Sequence, residues 1–169
     1  MAKKVLLTSD EELKEESIIE ENVDSKLLAK TIEMVQNIQL RSVLGENLYK
    51  SIIDAAYNFK NNNVPLSASN AELLYDYIKP FLNMAVACEF IIVNNYKLTN
   101  KGVLKLRDDL GEAVSATELE TAKNFFEQYK AEYKRILIEY LQEKNLIDCA
   151  DNNDTDTTIE STGWYLIDK

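Results

Sequence analysis

Side chains able to do chemistry are few in this sequence, and they do not converge. Histidine is absent, which removes Ser–His and Cys–His nucleophile pairs, His-ligated zinc and imidazole proton shuttles together. Glu89 sits in an apolar run between Cys88 and Phe90, where burial would raise a carboxyl pKa and make it a base. It comes without a second acid, a metal or a histidine, so it reads as an exposed, interfacial or ion-paired side chain. Cys88 and Cys149 are too few for a disulfide framework and lack metal-ligand spacing. Each reads as an ordinary thiol in a reducing compartment.

The run Asp151-Asn152-Asn153-Asp154-Thr155-Asp156 invites a calcium loop. A loop starting at Asp151 places Asp156 where the sharp turn needs glycine, and Thr162 where a bidentate glutamate is needed. Starting at Asn152 places Thr157 and Gly163 there, so both registers fail. Gly102 and Gly111 are isolated, and no phosphate-cradling glycine loop occurs. The expectation is therefore a protein with no catalytic residues, no metal and no cofactor: not an enzyme.

Composition bounds the rest. The chain has 169 residues, 46% apolar and 28% charged, with four Gly and two Pro. That suits one domain, or one domain plus tails, and a chain of this size buries roughly 70% of its unfolded surface. Lys and Arg number 19 against 29 Asp and Glu, a net charge of −10. Such a balance argues against a sequence-independent nucleic-acid binder, which neutralises phosphates with Lys and Arg. Val5-Leu6-Leu7 is too short for a secretory leader, and the longest apolar stretch, residues 81–93, is broken by Asn83 and Glu89. The expectation is a protein made and used in water, off the membrane.

The apolar spacing predicts helices. Ser9 with Glu12 forms a capping box for a short helix to about Ser17. Asp24 caps the next, with Val23 and Leu28 as a staple; Leu28, Ile32, Val35 and residues 40–44 form its apolar face, and Gly45 ends it. A second helix carries Leu48, Ile52, Ala55 and Phe59, widened by Tyr49, Ile53 and Ala56, and stops at Asn61-Asn62-Asn63 before the turn at Val64-Pro65. Ser69 and Glu72 cap another helix, with Leu74, Ile78, Phe81, Ala85, Cys88 and Ile92 as a buried stripe and a kink expected near Lys79 before Pro80.

From Tyr96 to Asp108 the pattern changes, and Leu98, Gly102, Val103, Leu104 and Leu106 suggest a small hairpin or extended arm. Ser115 and Glu118 cap a last helix whose seam is Leu119, Ala122, Phe126, Tyr129, Tyr133, Ile136 and Tyr140. Three tyrosines among the last four seam positions carry hydroxyls that want partners, so this seam is expected to be partly wet. The fold class is all-α, a bundle of about four to five helices over residues 1–147.

Residues 148–162 are rich in Asp, Asn and Thr and read as a flexible acidic linker. Beyond them Trp164, Tyr165, Leu166 and Ile167 form an apolar tip containing the chain's one Trp. Such a tip either folds back on its own helices or docks on a neighbouring subunit, and the reading leans to docking. Val5, Leu6 and Leu7 pose the same question at the other end.

The order of segments resembles the head–tail connector family of tailed bacteriophages, most closely its version in crAss-like phages of Bacteroidales. The resembling residues are Leu6-Leu7-Thr8-Ser9-Asp10-Glu11-Glu12-Leu13, Val23-Asp24, Val43-Leu44-Gly45-Glu46-Asn47-Leu48-Tyr49, Tyr77-Ile78-Lys79-Pro80-Phe81-Leu82 and Thr99-Asn100-Lys101-Gly102-Val103. They span about residues 5–145, and order carries more weight than any single motif. The resemblance implies a virion structural protein, made in the host cytoplasm, that forms a ring homo-oligomer (a dodecamer in that family) in the neck between capsid portal and tail. Its partners would be sibling copies, the portal protein and neighbouring neck or tail proteins, with no sequence-specific nucleic-acid binding. Interface candidates are Val5, Leu6, Leu7, Leu98, Val103, Leu104, Trp164, Tyr165, Leu166 and Ile167. The alternative is a soluble acidic helical regulator or DNA mimic that binds a basic protein, since acids cluster at residues 10–24 and 148–168.

Overall fold

A serine hydroxyl and a glutamate three residues on satisfy each other's backbone at the first helix. Ser9 Oγ accepts from the Glu12 N–H and the Glu12 carboxylate accepts from the Ser9 N–H, both at 3.1 Å. Helix α1 (Asp10–Glu16) follows, with Leu13 buried. The computed structural model describes residues 5–17, 19, 22–99, 102–105 and 116–147. These are predominantly helical, so the molecule belongs to the all-α class.

Helix α2 (Ser25–Val35) begins on Asp24, whose Oδ1 accepts from the Lys26 and Leu27 N–H groups. It buries Leu28, Thr31, Ile32 and Val35. It continues through a π-helical turn (Gln36–Leu40), which the residue spacing did not foretell, into α3 (Arg41–Asn62). Gly45 breaks α3 with φ 72° and ψ 164°, a region essentially reserved for glycine. The expected end at Gly45 is thus a kink, with helix resuming directly after it. Tyr49, Ile52, Ile53 and Ala56 form the buried face of α3, while Phe59, expected on the apolar stripe, is exposed. Asn63 closes the helix in the left-handed region (φ 52°), and the Val64 N–H donates to the Asn58 carbonyl.

Helix α4 (Ala68–Glu72) is capped two residues before the expected Ser69. Ser67 is extended and its Oγ accepts from the Asn70 N–H at 3.2 Å, so it takes the capping role. A second π-helical turn (Leu73–Ile78) leads into α5 (Lys79–Asn95). The Lys79 N–H donates to the Leu74 carbonyl five residues back. Pro80 has no N–H to offer, and the wide turn just before it is the form its disturbance takes. Helix α5 buries Phe81, Leu82, Ala85, Val86, Ala87, Cys88 and Phe90, and packs against both α2 and α6.

Strands β1 (Tyr96–Thr99) and β2 (Gly102–Lys105) pair antiparallel, with Leu98 opposite Val103 and Lys97 opposite Leu104. The last helix, α6 (Ala116–Glu143), begins just after Ser115, a cap that lies outside the described residues. Full burial along it is reached only at Leu137, Tyr140 and Leu141. The seam from Leu119 to Tyr140 is buried only towards its end: Tyr129, Tyr133 and Ile136 stay exposed, in keeping with the partly wet seam its tyrosines suggest. Tyr140 stacks on Tyr77 at 3.9 Å between ring centroids and joins α6 to the second π-helical turn.

The N-terminal run also differs from expectation. Val5 and Leu7, read as interface candidates, are buried in this chain's own core, and Leu6 packs against it. Gln36 explains why. Its Oε1 accepts from the Leu7 N–H at 2.8 Å and its Nε2 donates to the Val5 carbonyl at 2.9 Å. Lys60 Nζ adds a 2.7 Å hydrogen bond to the Leu6 carbonyl. The segment is a tie-down, not an outward tip.

Candidate interaction surface

Spacings of four, four and three bring Phe125, Tyr129, Tyr133 and Ile136 to one face of α6. They are 53%, 46%, 36% and 36% exposed, so this largely aromatic strip is only partly covered among the described residues. The Phe125 ring meets Phe126 edge-on at 5.4 Å and Tyr129 at 4.9 Å. The flanks are charged: Arg135 pairs with Glu132 and Glu139, and Lys130 with Glu127 at 2.5 Å. Exposed pairs of this kind add little stability but keep the helix soluble. A contiguous apolar strip with a polar border is what partner-binding surfaces look like.

Next to this strip lies a cleft of about 360 Å³, lined by Glu16 and Ser17 from the end of α1, Tyr75, Pro80, Asn83, Met84 and Ala87, and Tyr133 of α6. Asn83 is only 7% exposed, and its Nδ2 donates to Glu16 Oε2 at 3.1 Å. Its Oδ1 is buried without a hydrogen-bond partner among the described residues. Beside the cleft, Lys79 Nζ sits 4.6 Å from the Tyr75 ring centroid and bonds Glu12 Oε1 at 2.9 Å. Burial alone would raise the Glu12 carboxyl, but the Lys79 hydrogen bond, the Ser9 N–H and the charges of Lys79 and Lys60 hold it below its ordinary value.

The residues with chemical potential stay apart. Glu89 is half-buried on α5 and accepts from Gln39 Nε2 at 2.9 Å. Cys88 is fully buried. Burial, with Glu127 and Glu89 adding and Lys130 and Lys123 opposing, pushes its thiol up to about 11. It is a core residue with no thiolate to offer at neutral pH. Among the described residues no three His, Cys, Asp or Glu side chains gather as a metal set, and no helix is long and apolar enough to cross a membrane.

Of the ten interface candidates, Val5, Leu6 and Leu7 belong to the chain's own packing. Leu98, Val103 and Leu104 lie on the paired strands. Trp164, Tyr165, Leu166 and Ile167, with the linker at residues 148–162, fall outside the described residues. Sequence reasoning missed Phe125 and the cleft. Phe125 was overlooked because Phe126 fitted the seam, although its four-residue spacing to Tyr129 was there to read. The cleft unites residues more than a hundred positions apart, and only the fold brings them together.

A family model described as a family of unknown function (DUF6712) matches residues 40–157, from the end of the first π-helical turn through α6. No curated protein matches the chain, and no solved structure does.

Proposed function

Since the chain belongs to the DUF6712 family, whose function is unknown, we propose, from the resemblance of its segment order to the connector family, that it is a virion structural protein of the phage neck. In this reading it forms a ring at the head–tail connector, binds the portal and joins capsid to tail, with DNA passing through the ring. It works as a binding module, not an enzyme, and lives in the virion after being made in the host cytoplasm.

The observation that carries the reading is the partly exposed, largely aromatic strip of α6. Cyclic assemblies close through head-to-tail contacts, one patch meeting a different patch on the next copy. A strip of Phe125, Tyr129, Tyr133 and Ile136 is such a patch, and a ring would hide it. The other half of the contact is assigned to the small β-hairpin arm bearing Leu98, Val103 and Leu104, and to Trp164, Tyr165, Leu166 and Ile167 at the end of the acidic linker. The net charge of −10 suits a passage through which DNA slides without sticking, and the segment order resembles the connector family named above.

Mass photometry of the purified chain, alone and with portal protein, tests this. Ring-sized particles are expected in at least the second sample, and monomers alone in both would reject the proposal. Deleting residues 163–169 is expected to preserve the helical circular dichroism and weaken assembly. Loss of helicity would instead place the tip in its own core.

A further inference from the structure

We infer that the cleft between the end of α1, α5 and α6 is a receptor for one basic side chain, an arginine or lysine presented by a partner protein. This does not depend on the ring: it rests on what lines the cleft. Glu16 offers a carboxylate, Ser17 a hydroxyl and Tyr133 a ring face, while Pro80, Met84 and Ala87 give an apolar wall. Every strong polar function there is an acceptor or can serve as one, and no cation lines the cleft. Asn83 deepens the case. One of its two amide donors goes to Glu16, and its buried Oδ1 has nothing to accept from among the described residues.

An acceptor buried without a partner has lost its water, so a donor for which the side chain turns to meet it gains more than it would at an open surface. An entering ligand therefore needs donors at its head and an alkyl stem behind them. Lys and Arg are built that way, with apolar stems that lie along hydrocarbon and heads that seek acceptors. At about 360 Å³ the cleft is near the lower end of ligand-pocket sizes, right for a side chain rather than a nucleotide cofactor. Its surroundings already hold one ammonium in this way, since Lys79 lies over Tyr75 and on Glu12. The chain's net charge of −10 favours approach by a basic partner.

The probe is acetyl-arginine methylamide, titrated into the full-length chain and followed by amide chemical shifts, with the neutral isostere acetyl-citrulline methylamide in parallel. Saturable shifts are expected at Ser17, at the Asn83 side-chain amide and at Ala87, with affinity at least tenfold weaker for the citrulline probe. Glu16→Gln keeps an acceptor for Asn83 Nδ2 yet removes the charge, and Tyr133→Ala removes an exposed ring; both are expected to weaken arginine binding about tenfold. Glu139→Gln, the same charge change elsewhere on α6, is expected to leave it unaltered. Equal shifts with both probes, shifts dispersed over the surface, or equal losses in Glu16→Gln and Glu139→Gln would each overturn the inference.

Discussion

Gln36 does more for this structure than any residue singled out by its chemistry. Its side-chain amide satisfies one donor and one acceptor of the N-terminal backbone inside the core. Gln36→Leu keeps the volume but strands both groups, each costing roughly 1–3 kcal/mol, so a loss of about 2–5 kcal/mol is expected in urea unfolding. Cys88 is expected to stay unreactive toward a thiol reagent in the folded protein, in a Cys149→Ser background, and to label fully once urea unfolds the chain. Its burial and raised thiol pKa both disfavour attack. Reading the sequence placed Cys88 correctly on a buried stripe, because apolar periodicity reports burial directly. It could not see Gln36, because a lone glutamine on an apolar face looks the same whether it faces water or a distant backbone.

Local rules located most helix starts: Ser9 and Asp24 cap as their side chains dictate. Start positions slip where two candidate caps compete, as Ser67 does with Ser69. The two π-helical turns were invisible for a different reason. A wide turn inserts one residue into a periodic stripe, and short stripes tolerate that without losing their apparent spacing. Gly45 is where an element-scale experiment is cleanest. A Cβ at that position would meet nothing within 4 Å, so any penalty comes from the backbone alone. Gly45→Ala is expected to cost about 1–3 kcal/mol in denaturant unfolding, through strain at φ 72°. Along α6 the heptad spacing tells that a face is apolar, not that something covers it; the hydroxyls of its tyrosines were the sign that it would stay partly wet.

For the molecule as a whole, acidity shapes the response to pH. Glu12 has its carboxyl held below the ordinary value of 4.5. A lowered folded pKa stabilises fully above the unfolded value and ceases to do so as pH falls through the folded one. Stability is therefore expected to decline as pH drops below about 4.5, and Glu12→Gln is expected to flatten that part of the curve in urea unfolding at a series of pH values. The all-α class was legible from composition and periodicity; the exposed strip of α6 was only half so, and the cleft not at all, since it is made by tertiary proximity. The fastening of the N-terminal run has one more consequence. Leu6 reaches Lys60, and Glu12 reaches Lys79, across 54 and 67 residues. Domains generally fold as units while the ribosome elongates the chain. The segment around Leu6 and Glu12 is made before the residues that fasten it, and must thus wait, without these native neighbours, until Lys60 and Lys79 have been translated. A bulky fusion partner attached ahead of Val5 would hinder that late closure.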